Sequence, residues 1–352
     1  MNIIKKLNIS ASVMAALGAA FLFGASTPFA KVLVNNMHPV MLAGLFYLGS
    51  GIGLFLIRFI RDRGWQNPGL LPSEWPWLLY AILIGGVLGP VLMMFGLTLT
   101  SSSTASLLLN LEAVFTAFIA WIFFRENADN RIVLGMLLII TGGLLLSGQN
   151  RHITQQGLLG PLAIAGACLC WAIDNNLTRK VSGADSLFLS ASKGIISAIV
   201  NIGLGYWLGF VLPAWKITIT ALIFGFFGYG LSLLLFILAL RGLGTARTGA
   251  YFSVSPFLGA AIAVVFFREK PSSMFWIAAA LMTAGVWLHI TEKHEHLHTH
   301  ELLYHNHGHV KDEHHQHTHD YPTDDTKAHS HPHHHEQITH IHSHYPDIHH
   351  RN

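Results

Sequence analysis

The chain has 352 residues, 52% of them hydrophobic and only 11% charged, with a formal charge of +3. Soluble domains carry roughly 25% charged residues, so the bulk of this chain is not built as a soluble enzyme or nucleic-acid binder. The two cysteines, Cys168 and Cys170, share one apolar run, which argues against a disulfide framework.

A helix needs about 20 apolar residues to cross the hydrocarbon core of a bilayer. Taken in chain order, ten segments qualify, at about 12–34, 39–60, 76–99, 104–124, 131–149, 157–179, 186–210, 217–240, 246–267 and 273–291. The first, preceded by Lys5 and Lys6 and containing Ala25-Ser26-Thr27-Pro28-Phe29-Ala30, has features of a secretory signal. Its apolar stretch runs on past Pro28 to Val34, however, and removing it leaves an odd number of spans, so it reads as a transmembrane helix. Links such as Asn35-Asn36-Met37-His38-Pro39 and Gly69-Leu70-Leu71-Pro72-Ser73 carry the turn residues that reverse a chain.

Lysine and arginine set orientation. With the N-terminus inside, thirteen of them lie at inner ends (Lys5, Lys6, Arg58, Arg61, Arg63, Arg125, Arg131, Arg179, Lys180, Lys193, Arg241, Arg247 and Lys293). Five lie at outer ends: Lys31, Arg151, Lys216, Arg268 and Lys270. The expectation is a multi-pass protein of the inner (plasma) membrane with both termini cytoplasmic. On this reading Lys193, Arg241 and Arg247 are topology determinants.

The chain also repeats itself. Leu97–Glu126 and Leu238–Glu269 each end one span on Leu-x-Leu, pass a Ser/Thr/Gly link and close the next span on Phe-Phe-Arg-Glu. Thr141-Gly142-Gly143 and Thr283-Ala284-Gly285 then mark each following span. Five spans per copy is odd, so the second copy enters the membrane inverted, a plan common among secondary transporters. The fold class expected is an all-α membrane protein: one five-helix repeat at 1–150, a second at 151–291, and a disordered tail at 292–352.

The segment Thr100–Glu126 and the stretch Phe23–Lys31 resemble the EamA domain of the drug/metabolite transporter superfamily, and the likeness extends over roughly 12–149 and 157–291. That resemblance implies a ten-helix carrier, usually an exporter of metabolites, amino acids or toxic compounds, without a required cofactor. The second copy departs from the first, with Ser253-Val254-Ser255-Pro256 where the first has Asn110-Leu111-Glu112-Ala113. The two halves are therefore expected to contribute different groups.

An ionisable residue inside a span is costly and so a candidate for function. Glu112, well inside the fourth span, suits proton coupling or recognition of a cationic group; the alternative is a structural hydrogen bond or ion pair. Asp174, with Asn175 and Asn176 beside it and Trp171 one turn before, either faces a polar cavity or marks a frayed inner end near Arg179 and Lys180. Lys31 could bind an anionic group, pair with Glu112, or extend to the interface. Asn110, Tyr251 and Ser255 complete the candidate pathway. Thr27-Pro28 and Ser255-Pro256 are expected to interrupt helices, and Gly85-Gly86 and Gly142-Gly143 to allow close helix packing. No nucleotide-binding loop, His-Glu-x-x-His motif or nucleophile elbow is present, so no enzyme is expected.

All but three of the 24 histidines (His38, His152 and His289) lie in the tail. Alternation places imidazoles on one side of an extended chain, where two or three can hold Zn, Ni, Co or Cu. The candidate ligands are His294, His296, His298, His300, His305, His307, His309, His314, His315, His317, His319, His331, His333 and His335. The tail could buffer or sense metal, act as a pH sensor, or have no role. Expected partners are thus the bilayer, a small-molecule substrate, divalent metal ions and, as an open option, a second copy of the chain; nucleic acid is not among them. The leading expectation is an alternating-access exporter with a metal-binding regulatory tail. The alternatives are a divalent metal carrier and a membrane-anchored metal sensor.

Overall fold

In lipid a backbone must satisfy its own hydrogen bonds, and long apolar runs do so as helices. The computed structural model describes residues 2–124, 130–148, 155–181, 183–291, 295–299, 304–309, 329–334 and 339–343. Residues 1–292 and 293–352 form two separate units.

In the first unit α1 (Asn2–Val34), α2 (Pro39–Asp62), α7 (Asn130–Ser147), α8 (Gln155–Val181) and α9 (Ser186–Trp207) each cover one expected span. The third span is α3 (Trp75–Ala81), a π-helical segment (Ile82–Leu88) and α4 (Gly89–Leu99). The eighth is α10 (Trp215–Gly225), a second π segment (Phe226–Leu231) and the start of α11 (Ser232–Phe252). The fourth is split into α5 (Ser102–Leu108) and α6 (Leu111–Phe124). Last come α12 (Ser255–Val265) and α13 (Ser273–Ile290).

Among the described residues eight helical segments are long and apolar enough to cross a membrane, and α12 and the apolar part of α13 are shorter. Ten full-length spans are therefore not what is observed. One further difference concerns the link predicted between the eighth and ninth spans, because helical backbone continues through 241–252 and breaks only at Ser253-Val254.

Capping explains several starts. Ser101 accepts from the amide of Thr104 (3.3 Å), Ser272 from Phe275 (3.4 Å) and Asp185 from Leu187 (3.0 Å). Each thereby satisfies an otherwise unpaired amide in the first turn. Pro28 does not interrupt α1, contrary to expectation, whereas Pro256 sits in the first turn of α12, just past a break. Proline lacks an amide hydrogen and so fits a first turn, where that hydrogen has no helical partner.

The principal packing pairs are α2 with α9, α4 with α8, α1 with α11, α7 with α13, α5 with α12, α6 with α8 and α1 with α12. Small residues permit the closest of these. A Cβ on Gly194 would lie 2.5 Å from the Cα of Gly51, and one on Gly49 would lie 2.0 Å from the carbonyl oxygen of Leu222. At such crossings backbones touch directly.

The second unit carries four short strands: β1 (Glu295–Thr299) pairs antiparallel with β4 (Thr339–Ser343), and β2 (Tyr304–His309) with β3 (His329–His334).

Candidate functional site

Residues three, four and seven apart share one face of a helix. On α8 that face carries Trp171, Asp174, Asn175 and Thr178. The first three line a cavity together with Glu112 from α6 and Lys193 from α9. Phe23 of α1, Tyr47 of α2, Tyr229 of the second π segment, and Phe236 and Phe252 of α11 close its walls. Its volume is about 80 Å³, room for a few waters at ~10–15 Å³ each.

Lys193 and Asp174 form a buried ion pair. The Lys193 ammonium donates to Asp174 Oδ1 at 2.7 Å and Oδ2 at 2.8 Å, and to Thr178 Oγ1 at 3.4 Å. Their residues are 4% and 7% exposed, so the charges answer each other in place of water. The alternative that Asp174 marks a frayed helix end is thereby excluded. Lys193 is likewise no topology marker at the membrane edge. Its position seven residues into α9 was the available signal, since an ionisable group that deep calls for a partner.

Glu112 lies in the first turn of α6, directly after the break at Leu109-Asn110. Helix N-termini favour negative charge because their amides point outward unpaired, so the break supplies a suitable place for a carboxylate within the bundle. Asn175 Nδ2 donates to Glu112 Oε1 at 2.8 Å; Oε2 has no hydrogen-bond partner among the described residues. Asn110 donates back to the carbonyl of Leu107 at 2.9 Å, while its own Oδ1 and the Ser255 hydroxyl are buried without a partner among the described residues. Tyr251 is exposed and does not line the cavity.

The π segments shape the same region. The Gly85 carbonyl, within the first of them, accepts from Trp171 Nε1 at 3.0 Å and from the Tyr47 hydroxyl at 3.2 Å. A Cβ at Gly85 would meet Asp174 Oδ2 at 2.1 Å. The aromatic wall is continuous: Phe23 lies 5.7 Å from Trp171, 5.8 Å from Tyr229 and 5.5 Å from Phe252 between ring centres, and Phe236 lies 4.9 Å from Phe252.

Polar clusters occupy opposite ends of the bundle. At one, Arg58 bonds Asp185 at 2.9 Å and the Gln66 carbonyl at 2.8 Å, and lies 5.3 Å from the rings of Trp65 and of Phe188. Arg61 also bonds Asp185, at 2.5 Å. Burial alone raises the Asp185 carboxyl, but the hydrogen bonds from Arg61, Arg58 and the Leu187 amide outweigh it and leave the group below its ordinary value. At the other end the Glu269 carboxylate accepts from the amides of Ser102 and Ser103, both at 2.9 Å. Burial raises this group as well, and those bonds again bring it below its ordinary value. Lys31 donates to the Leu97 carbonyl here and feels the charge of Glu269. It does not pair with Glu112.

Among the described residues there is no cluster of three or more His, Cys, Asp or Glu that could hold a metal. In the second unit, ladder register sets His296 opposite His342, His298 opposite His340, His305 opposite His333, His307 opposite His331 and His309 opposite His329. His294, His300, His314, His315, His317, His319 and His335 lie outside the described residues, as do Arg125, Glu126, Arg151 and Lys293.

The sequence model of the EamA-like transporter family matches residues 10–148 and 158–291. An uncharacterized transporter of Methanothermobacter thermautotrophicus is 30% identical over 286 residues, 77% of this chain and 83% of that protein. The "Probable amino-acid metabolite efflux pump" of Escherichia coli is 25% identical over 290 residues, 74% of this chain and 88% of that one. A solved structure at 18% identity superposes with a TM-score of 0.60, covering 79% of this chain and 94% of the other, which shows a shared fold.

Proposed function

Because the chain belongs to the EamA-like transporter family, we propose that it is a secondary transporter that exports small metabolites or drugs by alternating access around the Glu112–Asp174–Lys193 cavity. The observation that carries this is the makeup of that cavity. Charged groups drawn from α6, α8 and α9 meet where both halves of the chain contribute wall, and intramembrane charges mark solute paths.

Matched irregularities support two inverted halves. The π segments begin at Ile82 and Phe226, and the helix breaks at Leu109-Asn110 and Ser253-Val254; each pair is 144 residues apart. Exchanging every span with the one five places later also maps the packing of α4 on α8 onto that of α11 on α1. It maps α6 on α8 onto α12 on α1, and α2–α9 and α7–α13 onto themselves. Discontinuous helices at matching places are how carriers of this plan build a site.

The lysine and arginine bias, which holds without Lys193, supports both termini on the cytoplasmic side of the plasma membrane. Glu112 is the candidate coupling carboxylate. The histidine tail is assigned to metal binding and regulation, because the ladders pair histidine with histidine at every second rung, which places them on one face of each strand pair. Metal is assigned to the tail and not to the path, whose charged groups are two carboxylates and one lysine.

Flux in proteoliposomes tests this. Full-length protein and a chain ending at Thr291 are expected to carry the same organic solute, with Zn, Ni and Co affecting only the full-length form. Loss of metal flux on truncation would instead favour a metal carrier. Glu112→Gln is expected to remove the pH dependence of flux, and an unchanged pH profile refutes the coupling role.

A further inference from the structure

The cavity's hydrogen-bond donors are largely committed. Trp171 Nε1 and the Tyr47 hydroxyl both donate to Gly85, the Ser232 hydroxyl to Ala19 at 2.9 Å, and Asn175 to Glu112. The three hydrogens of the Lys193 ammonium have three acceptors, two on Asp174 and one on Thr178. Beyond the Tyr229 hydroxyl and the second Asn175 hydrogen, which have no partner among the described residues, an anionic solute, or the carboxylate of a zwitterion, would have to take donors from these bonds and leave buried acceptors unpaired.

A cation meets the opposite situation. Asp174 is neutralised by Lys193, so among the described residues Glu112 is the lining charge without an ionic partner, and only its Oε1 carries a hydrogen bond there. Around it stand Phe23, Tyr47, Trp171, Tyr229, Phe236 and Phe252, linked ring to ring. Aromatic faces attract cations, most strongly where water is excluded, and such cages select quaternary and alkylated ammonium groups. The second half of the chain has Pro256 at the position 144 residues beyond Glu112, which gives the site one negative pole and not two.

We propose that the substrates are small organic monocations, alkylammonium or quaternary ammonium compounds, held by Glu112 as counter-charge within the aromatic wall. This rests on the reading of the cavity as the transport site, and it favours amines over amino acids.

Binding of labelled tetramethylammonium to the full-length protein in detergent, competed by ethylammonium, glycine and acetate, tests it. Ethylammonium is expected to compete, and glycine and acetate to do so at least tenfold more weakly. Glu112→Gln should weaken binding by about 10- to 100-fold, the loss of one charge-assisted contact, and Glu112→Asp should retain part of it. Phe252→Leu should weaken it about 3- to 10-fold. Glycine competing as well as ethylammonium overturns the proposal, as does Glu112→Gln binding within twofold of the parent. Proteoliposome flux separates the two readings. Movement of glycine or acetate but of neither amine refutes the substrate class and leaves the transporter standing. Glu112-dependent amine binding without flux of any of these solutes supports the cation site and refutes transport through it.

Discussion

Replacing Lys193 by methionine removes the positive half of the buried pair and leaves Asp174 without its counter-charge. The two short bonds from Lys193 to Asp174 are charge-assisted, each worth about 1.5–3 kcal/mol. A buried pair that loses one partner destabilises a protein by about 3–5 kcal/mol, because the remaining charge is stranded away from water. The pair borders the cavity, where water can reach Asp174, so the lower part of that range, about 3 kcal/mol, is expected. Asp174→Asn combined with Lys193→Met removes both charges together and should recover most of the loss. The assay is unfolding by SDS in mixed micelles, comparing parent, single and double variants. A single variant within about 1 kcal/mol of the parent refutes the reasoning, as does a double variant as unstable as the single one. Either result would mean that the two side chains are solvated and not each other's main partner.

Asp185 and Glu269 predict how stability responds to acid. Both carboxyls lie below their ordinary values in the folded protein. Each therefore contributes stability above the unfolded value of about 4, which is lost as pH falls through the folded value. Unfolding midpoints should be level between about pH 7 and 5 as far as these groups are concerned and fall below about 4, with a smaller acid loss in Asp185→Asn. Glu269→Gln should weaken the cap on Ser102 and Ser103 by about 1 kcal/mol, measured by the same unfolding assay at neutral pH. Gly49→Ala should cost about 1–3 kcal/mol or more, because its Cβ would press on the backbone of Leu222, whereas Gly203→Ala meets nothing within 4 Å. Equal stability of these two glycine variants would refute the close approach of α2 and α10.

Helix positions were legible because apolar length alone decides what can cross lipid, and α2, α7 and α9 fall within a few residues of their expected limits. Glu112 and Asp174 were legible too, as carboxyls embedded in apolar runs. The limits of the ninth span were not, since the link at 241–245 lacks a proline to stop helical hydrogen bonding. Nor was the break at Leu109-Asn110, where no glycine or proline marks it. A local pattern reports burial and length, but it does not report which side chain faces which.

That choice belonged to the tertiary structure. Lys193 looked like an orienting charge until the packing of α9 beside α8 brought it onto Asp174 across the loop that joins them. Lys31, equally basic but in the last turn of its span, found a backbone carbonyl and the field of Glu269, whose partners lie 167 and 166 residues away in sequence. Composition and hydropathy determined that this chain crosses a membrane many times. Only the three-dimensional arrangement decided which of its few charges cancel, and so which one, Glu112, is left facing the cavity.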